Sequence, residues 1–305
     1  MKEVNEELLK IAEHLEIYRE LSEKPEVKSP LESLDMAATD VGKSWSGSWL
    51  GYLSKIYYKN LDPPPANAHF SQEWGFMRTS FVQGSVGEWQ ECDEDGIKEA
   101  IYKLADNPDL SFAEKLCEDA ENSFNDKKQE ILSLLSIANP KQLDPFLTSL
   151  EEQVKVLKIY SKYEIIRGLQ PSGKLYSRDS LAVTQGLQTP PHIAVLIDIM
   201  SLRQPPEICL KLSLIARKAG SHVSRLDSTK SRMEKIGTNV FIGHGGSQIW
   251  RELKDYIQYR LRLPWDEFNR VPVAGITNIA RLSEMLDLAA IAFLVMTAED
   301  EHADG

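Results

Sequence analysis

Cysteine is scarce in this chain and poorly placed for covalent work. Cys92, Cys117 and Cys209 are odd in number, far apart and form no Cys-x-x-Cys pair, which argues against a disulfide framework or a zinc knuckle and predicts reduced thiols. Long apolar runs are missing too. The longest late run, residues 289–297, falls far short of the roughly 18 residues that a membrane span needs. Residues 1–13 mix charges and lack the apolar core of a signal peptide. A cytoplasmic protein with no membrane attachment is expected. Basic charge is also short: 35 Lys and Arg against 46 Asp and Glu give a net charge of −11, which argues against a protein built to grip a nucleic-acid backbone. The six histidines, His14, His69, His192, His222, His244 and His302, show no metal-ligand spacing. No repeat or low-complexity tract is visible.

What is present is an ordinary globular composition, 42% hydrophobic and 27% charged over 305 residues, long enough for two domains. Residues 1–235 read mainly as helix. Leu8, Ile11, Leu15 and Tyr18 recur at helical spacing, with Pro25 and Pro30 expected to end that helix and a second one to run over 31–41. Trp45, Trp49, Tyr52 and Ile56 share a helical stripe. Residues 61–90 break the pattern with Pro63, Pro64 and Pro65 and with Phe70, Trp74, Phe76, Phe81 and Trp89 among small polar residues. An ordered irregular loop with a short strand pair is predicted; long loops of this kind are often functional, but clustered aromatics more commonly plug a core. Helices are expected over 95–104, from a Ser111/Glu114 capping box to 136, from Asp144-Pro145 toward 163, over 180–187, from Pro191 to 201, and from Pro205-Pro206 to 235.

The character changes at 236–238. Asn239, Val240, Phe241 and Ile242 form a short apolar run that stops at Gly243-His244-Gly245-Gly246-Ser247. A helix carrying Ile249, Leu253, Ile257 and Leu261 follows, then a strand or extended loop at 268–273 and a helix at 277–288. A continuous apolar strand at 290–296 is expected to be buried on both faces, as in parallel sheets. This order defines an α/β domain behind a helical region. The glycine turn has a mechanism: glycines let backbone N–H groups approach a ligand, helix starts favour anions, and open α/β sheets bind ligands at the carboxyl ends of their strands. The spacing is neither Gly-x-Gly-x-x-Gly nor a Walker A loop, and a tight turn with no ligand is the competing reading.

Val240-Phe241-Ile242-x-His244-Gly245 resembles the opening strand of the bacterial TIR-like domains, predicted nucleotide-binding proteins that include effectors of cyclic-nucleotide-triggered anti-phage systems. Gly275-x-Thr277-x-Ile279 resembles the element after that family's second strand. The apolar strand running into Thr297-Ala298-Glu299-Asp300-Glu301 resembles its Thr-Pro-Asp-Asp-Glu strand end. The resemblance covers residues 239–305 and implies the first part of a flavodoxin-like, TIR-like domain with a parallel sheet, incomplete in this chain. The departures are specific. Gly246-Ser247 stand where the family usually has a charged pair, Ala280 where it often has Glu, and Ala298 where it has Pro. The family's later Asn-Val-x-x-Glu-x-Gly-like motif, whose Glu is tied to NAD cleavage, is not found before Gly305, so no catalytic residue is assigned.

The resemblance implies that His244, Gly245, Gly246, Ser247, Gly275 and Thr277 contact an NAD-like nucleotide. NAD would be a substrate and no tightly bound cofactor is expected. TIR enzymes cleave the nicotinamide–ribose bond through an oxocarbenium-like state that a carboxylate helps stabilise, as in glycoside hydrolysis. It also implies assembly through the TIR-like or helical part, with residues 1–235 sensing a protein or second-messenger trigger. A non-catalytic scaffold and a nucleotide sensor without turnover remain as alternatives. Arg167, Lys174 and Arg178 could form an anion site but read more simply as solvated charges. Trp45, Trp49 and Trp74 could stack a base but more simply pack. Glu91, Asp93, Glu94 and Asp95 lack EF-hand spacing.

Overall fold

The computed structural model describes residues 2–79, 82–173, 175–235, 239–245, 248–267 and 278–296. The protein is mainly helical with one small three-stranded parallel sheet. It divides into two compact units, Glu3–Ser221 and a smaller one whose main segment is His222–Gly305.

The larger unit opens with α1 (Lys2–Ser22) and α2 (Pro25–Gly42). Pro25 starts α2 at the first helical position, where its missing N–H costs nothing. Pro30, expected to break the chain, lies inside α2. Val27, Leu31, Leu34, Ala37, Ala38 and Val41 form the buried face of α2, packed in one core with Ile97, Ile101, Leu116, Val195 and Ile199.

The tryptophan stripe is not a helix. A 3₁₀ turn at Gly51–Lys55 leads into β1 (Ile56–Tyr58). Gly47 and Gly51 take φ of 80° and 49°, backbone that a helix does not contain. The hydroxyl of Ser46 donates to the Leu53 carbonyl at 2.7 Å and accepts from the Ser48 N–H. β2 (Arg78–Thr79) pairs with β3 (Val82–Gln83), and β4 (Trp89–Glu91) pairs antiparallel with β1. Leu53, Ile56, Phe70 and Trp89 make a second core, so two of the loop aromatics plug the interior. Trp45 lies against His192, with ring centroids 5.0 Å apart, and Arg178 covers Trp74.

α3 (Glu94–Leu104) is capped by Asp93, which accepts from the Gly96 N–H, and Glu94 pairs with Lys98 at 2.9 Å. The acidic cluster is therefore partly a helix cap. α4 (Ser111–Ala138) starts at Ser111 without the expected capping box: Ser111 is already helical, and Asp109 accepts its N–H. α5 (Pro145–Val156) is capped by Asp144 as expected but stops at Val156. A separate α6 (Lys162–Leu169) opens on a true capping box, Ser161 with Glu164. α7 (Ser180–Gln185) is capped by Asp179. α8 (Pro191–Lys235) contains Pro205 and Pro206 as interior residues, correcting the expectation of two helices; its residues to Ser221 belong to this unit.

The smaller unit carries the sheet. β5 (Asn239–His244) is followed by α9 (Trp250–Asp255), which continues as a π-helical turn over Tyr256–Leu261. Then come β6 (Trp265–Glu267), α10 (Asn278–Asp287) and β7 (Ala289–Val295). The strand expected at 268–273 lies outside the described residues. The strand order is β6-β5-β7, with both pairings parallel. Val240 and Ile242 pack with Ile257, Trp250, Leu253 and Trp265.

β7 departs from expectation. It is apolar throughout, yet most of it is open, with Leu294 71% and Ile291 52% exposed. Its place at the sheet edge explains this: among the described residues only β5 pairs with it, and Ile279 of α10 is 84% exposed rather than packed over it. No described helix is long and apolar enough to cross a membrane.

Candidate functional site

β5 is central because its middle is apolar on both faces: Val240, Phe241 and Ile242 are all buried. Chain order then sets where a crevice can form. β6 follows on one side of β5 and β7 on the other, so successive connections leave in opposite directions and open a crevice at the carboxyl ends of the strands. The register brings three ends together. Ile242 lies opposite Glu267 on β6, and His244 opposite Val295 on β7.

A cavity of about 640 Å³ lies there, lined mainly by apolar side chains, with His244 and Glu267 as its polar members. Phe241, Gly243, Ile279 and Leu294 supply much of the apolar wall. Its size and character are those of a small-molecule site. Gly243 matters by its size, since a β-carbon there would come within 2.7 Å of Leu294 Cδ2.

His244 is held from three directions. Its ring stacks on Trp250, with centroids 4.1 Å apart and planes 6° from parallel. Nδ1 lies 2.7 Å from the carbonyl oxygen of Gly245, and Nε2 lies 3.2 Å from Oε2 of Glu267. A carbonyl only accepts, so Nδ1 carries a hydrogen. A carboxylate also only accepts, so the Nε2–Oε2 bond requires a further proton, on the ring or on the acid. The two side chains meet at the polar edge of the cavity. Glu267 is only 7% exposed, and its own N–H donates to Oδ1 of Asp266 at 3.0 Å. Lone buried carboxylates are costly; the imidazole offsets that cost. The arrangement can accept hydroxyl donors at the carboxylate and move a proton between acid and imidazole.

Of the residues singled out in the sequence, His244 lines this cavity, and Gly245 holds its ring through the carbonyl. Gly246, Ser247, Gly275 and Thr277 lie outside the described residues. Glu267 and Trp250 were not selected. Glu267 ends β6 just before residues 268–273, where a strand or extended loop is expected and which lie outside the described residues. The usable signal was a carboxylate about twenty residues beyond a glycine turn, the place where dinucleotide folds put a ribose-binding acid.

The other charged candidates that are described have partners of their own. Arg178 pairs with Glu73 at 2.7 Å, and Arg167 reaches the Tyr163 hydroxyl; Lys174 is outside the described residues. Among the described residues no group of His, Cys, Asp and Glu is arranged to hold a metal. The three cysteines are unbonded, and burial pushes the Cys209 thiol up to about 12.

Comparison of the chain with protein-family models, with curated proteins and with solved structures finds no match. The functional reading therefore rests on the cavity and on the residues that build it.

Proposed function

We propose that the smaller unit binds an NAD-like nucleotide in the cavity at the carboxyl ends of β5, β6 and β7. In this reading the chain is a TIR-like effector of bacterial anti-phage defence that cleaves or binds NAD on activation and assembly. The observation that carries the binding proposal is the position of the cavity, where a parallel sheet reverses its strand order, with the buried Glu267 and the half-buried His244 as its polar edge. The strand order β6-β5-β7 also matches the opening of a doubly wound sheet. That supports reading the unit as part of a flavodoxin-like, TIR-like domain. The larger helical unit would sense the trigger or drive assembly.

A second reading, nucleotide binding or TIR-type scaffolding without turnover, is supported by the open apolar surface of β7.

Titration of the full chain with NAD by calorimetry tests the proposal, together with nicotinamide release at low and high protein concentration. Saturable binding that Trp250→Ala weakens about tenfold or more is expected, since the indole face holds the histidine ring. Turnover rising steeply with concentration would mark an assembly-dependent enzyme. Binding alone would mark a sensor or scaffold, and absence of any nucleotide binding would sink the reading.

A further inference from the structure

We infer that the groove between α5 and α8 of the larger unit docks an acidic amphipathic helix of a partner protein. No residue of the smaller unit enters the inference, so it stands apart from the nucleotide reading.

The groove has a volume of about 690 Å³. One wall is α5, which turns Ser149, Glu152, Gln153 and Val156 toward it, at the three- and four-residue steps of a single helical face. The other wall is the stretch of α8 from Ile208 to Lys218, about 15 Å long at the helical rise. Between them the surface is apolar. Ile208 and Ile215 are buried at the base, while Leu214 is 46% and Val156 77% exposed above them. The segment that leaves α5 closes one end and is already fixed. The Leu157 carbonyl accepts from Lys128 Nζ at 2.6 Å, and Gln204 holds Tyr160 through both its backbone N–H and its carbonyl. A partner therefore meets a wall that it does not have to order.

Charge selects the occupant. Lys211 and Lys218 line the groove, and among the described residues the side chain of neither enters an ion pair or a hydrogen bond. The other charges of the groove are engaged, Glu152 with Lys155 at 3.0 Å and Lys158 with Glu164 at 2.5 Å. Two cations are thus left without a counter-charge on a chain of net charge −11. Seven residues apart, they stand on one face of α8 about 10 Å from each other, with Leu214 between them. A single anionic head group would hold both only by drawing two long side chains together across Leu214, at a cost in rotamer freedom. A helix with carboxylates at i and i+7 and apolar residues between them offers the same spacing with opposite sign, and lays its apolar stripe along Ile208, Leu214 and Ile215.

The test measures the affinity of the full-length chain for a fluorescein-labelled, stapled helical peptide of about three turns, with leucines along one face and glutamates at i and i+7 beside them. A second peptide carries Lys in place of each Glu. The acidic peptide is expected to bind saturably, and the basic one at least about tenfold more weakly. Lys211→Glu combined with Lys218→Glu should reverse that order, with the fold checked by circular dichroism; both side chains are exposed. Leu214→Asn should weaken the acidic peptide by about threefold or more. Equal affinity for the two peptides, an order that charge reversal leaves unchanged, or failure of the acidic peptide to bind would each overturn the inference. If the double variant does not fold, added salt on the wild-type chain decides: it should weaken the acidic peptide and not the basic one, and a parallel response overturns the inference. Dodecanoate binding and sedimentation velocity identify the rival occupants. Dodecanoate binding without peptide binding, lost on charge reversal, would make the groove a site for an anionic amphiphile. Self-association without peptide binding, lost in the same way, would make the occupant a second copy of this chain. Either result overturns the inference.

Discussion

His192 shows how a single buried ring can set the acid limit of a protein. It lies 4% exposed, with Nδ1 2.9 Å from the Tyr57 hydroxyl, and that hydroxyl also accepts the His192 backbone N–H. Burial lowers its pKa to about 4. An unfolded chain protonates this side chain near pH 6.5, whereas the folded one resists until about pH 4. The unfolded state therefore binds more protons across that window. The contribution to stability is complete above about pH 6.5 and is lost as pH falls toward 4, roughly 3 kcal/mol in all. Urea unfolding across this range should show the slope in the wild-type chain. It should be shallower in His192→Asn, and an unchanged slope would reject the assignment. The same ring limits its neighbour. A β-carbon on Gly42 would stand 2.8 Å from His192 Cδ2, and the Tyr57 hydrogen bond leaves the ring little room to retreat. Gly42→Ala should cost about 1–3 kcal/mol in denaturant unfolding.

At the scale of elements, the sequence was legible wherever local chemistry decided the outcome. Asp144-Pro145 opens α5, and the glycine-ended apolar run from Asn239 is β5. It misled where a distant partner decided. Pro205 removes the N–H that would reach the Ser201 carbonyl, which on sequence grounds should end a helix. In α8 that carbonyl faces the thiol of Cys117, 3.6 Å away on α4, and the helix runs on. Cys117→Ala should therefore cost about 1 kcal/mol or more in thermal unfolding; no change would mean that the thiol does not support this turn. The stripe from Trp45 to Ile56 failed for another reason, because helical spacing of large residues cannot override glycine backbone. Gly51 sits at φ 49°, and a β-carbon there would lie 2.7 Å from the Ala182 carbonyl oxygen. Gly51→Ala should thus destabilise by more than the ~1 kcal/mol of an ordinary glycine exchange.

Across the whole molecule, burial is uneven. The larger unit has an extended core linking α2, α3, α4 and α8, while the sheet-bearing unit has a small one around Val240, Ile242 and Ile257. Ile242 is fully buried there. Ile242→Ala should cost about 2–5 kcal/mol, and hydrogen exchange should register that loss chiefly in β5 to β7 while α2 and α4 keep their protection. The glycine-ended apolar run marked the carboxyl end of β5, where the cavity lies, in the sequence. Trp250 stayed hidden because its role comes from ring stacking on His244, which no local pattern encodes.

The apolar strand β7, which lies open at the edge of its sheet among the described residues, has a practical side. A bare strand edge invites self-association, so the solubility of the protein should be limited by this strand more than by its net charge of −11. Ile291 is half exposed and is not among the residues that line the cavity. Ile291→Lys should raise the concentration at which the protein precipitates.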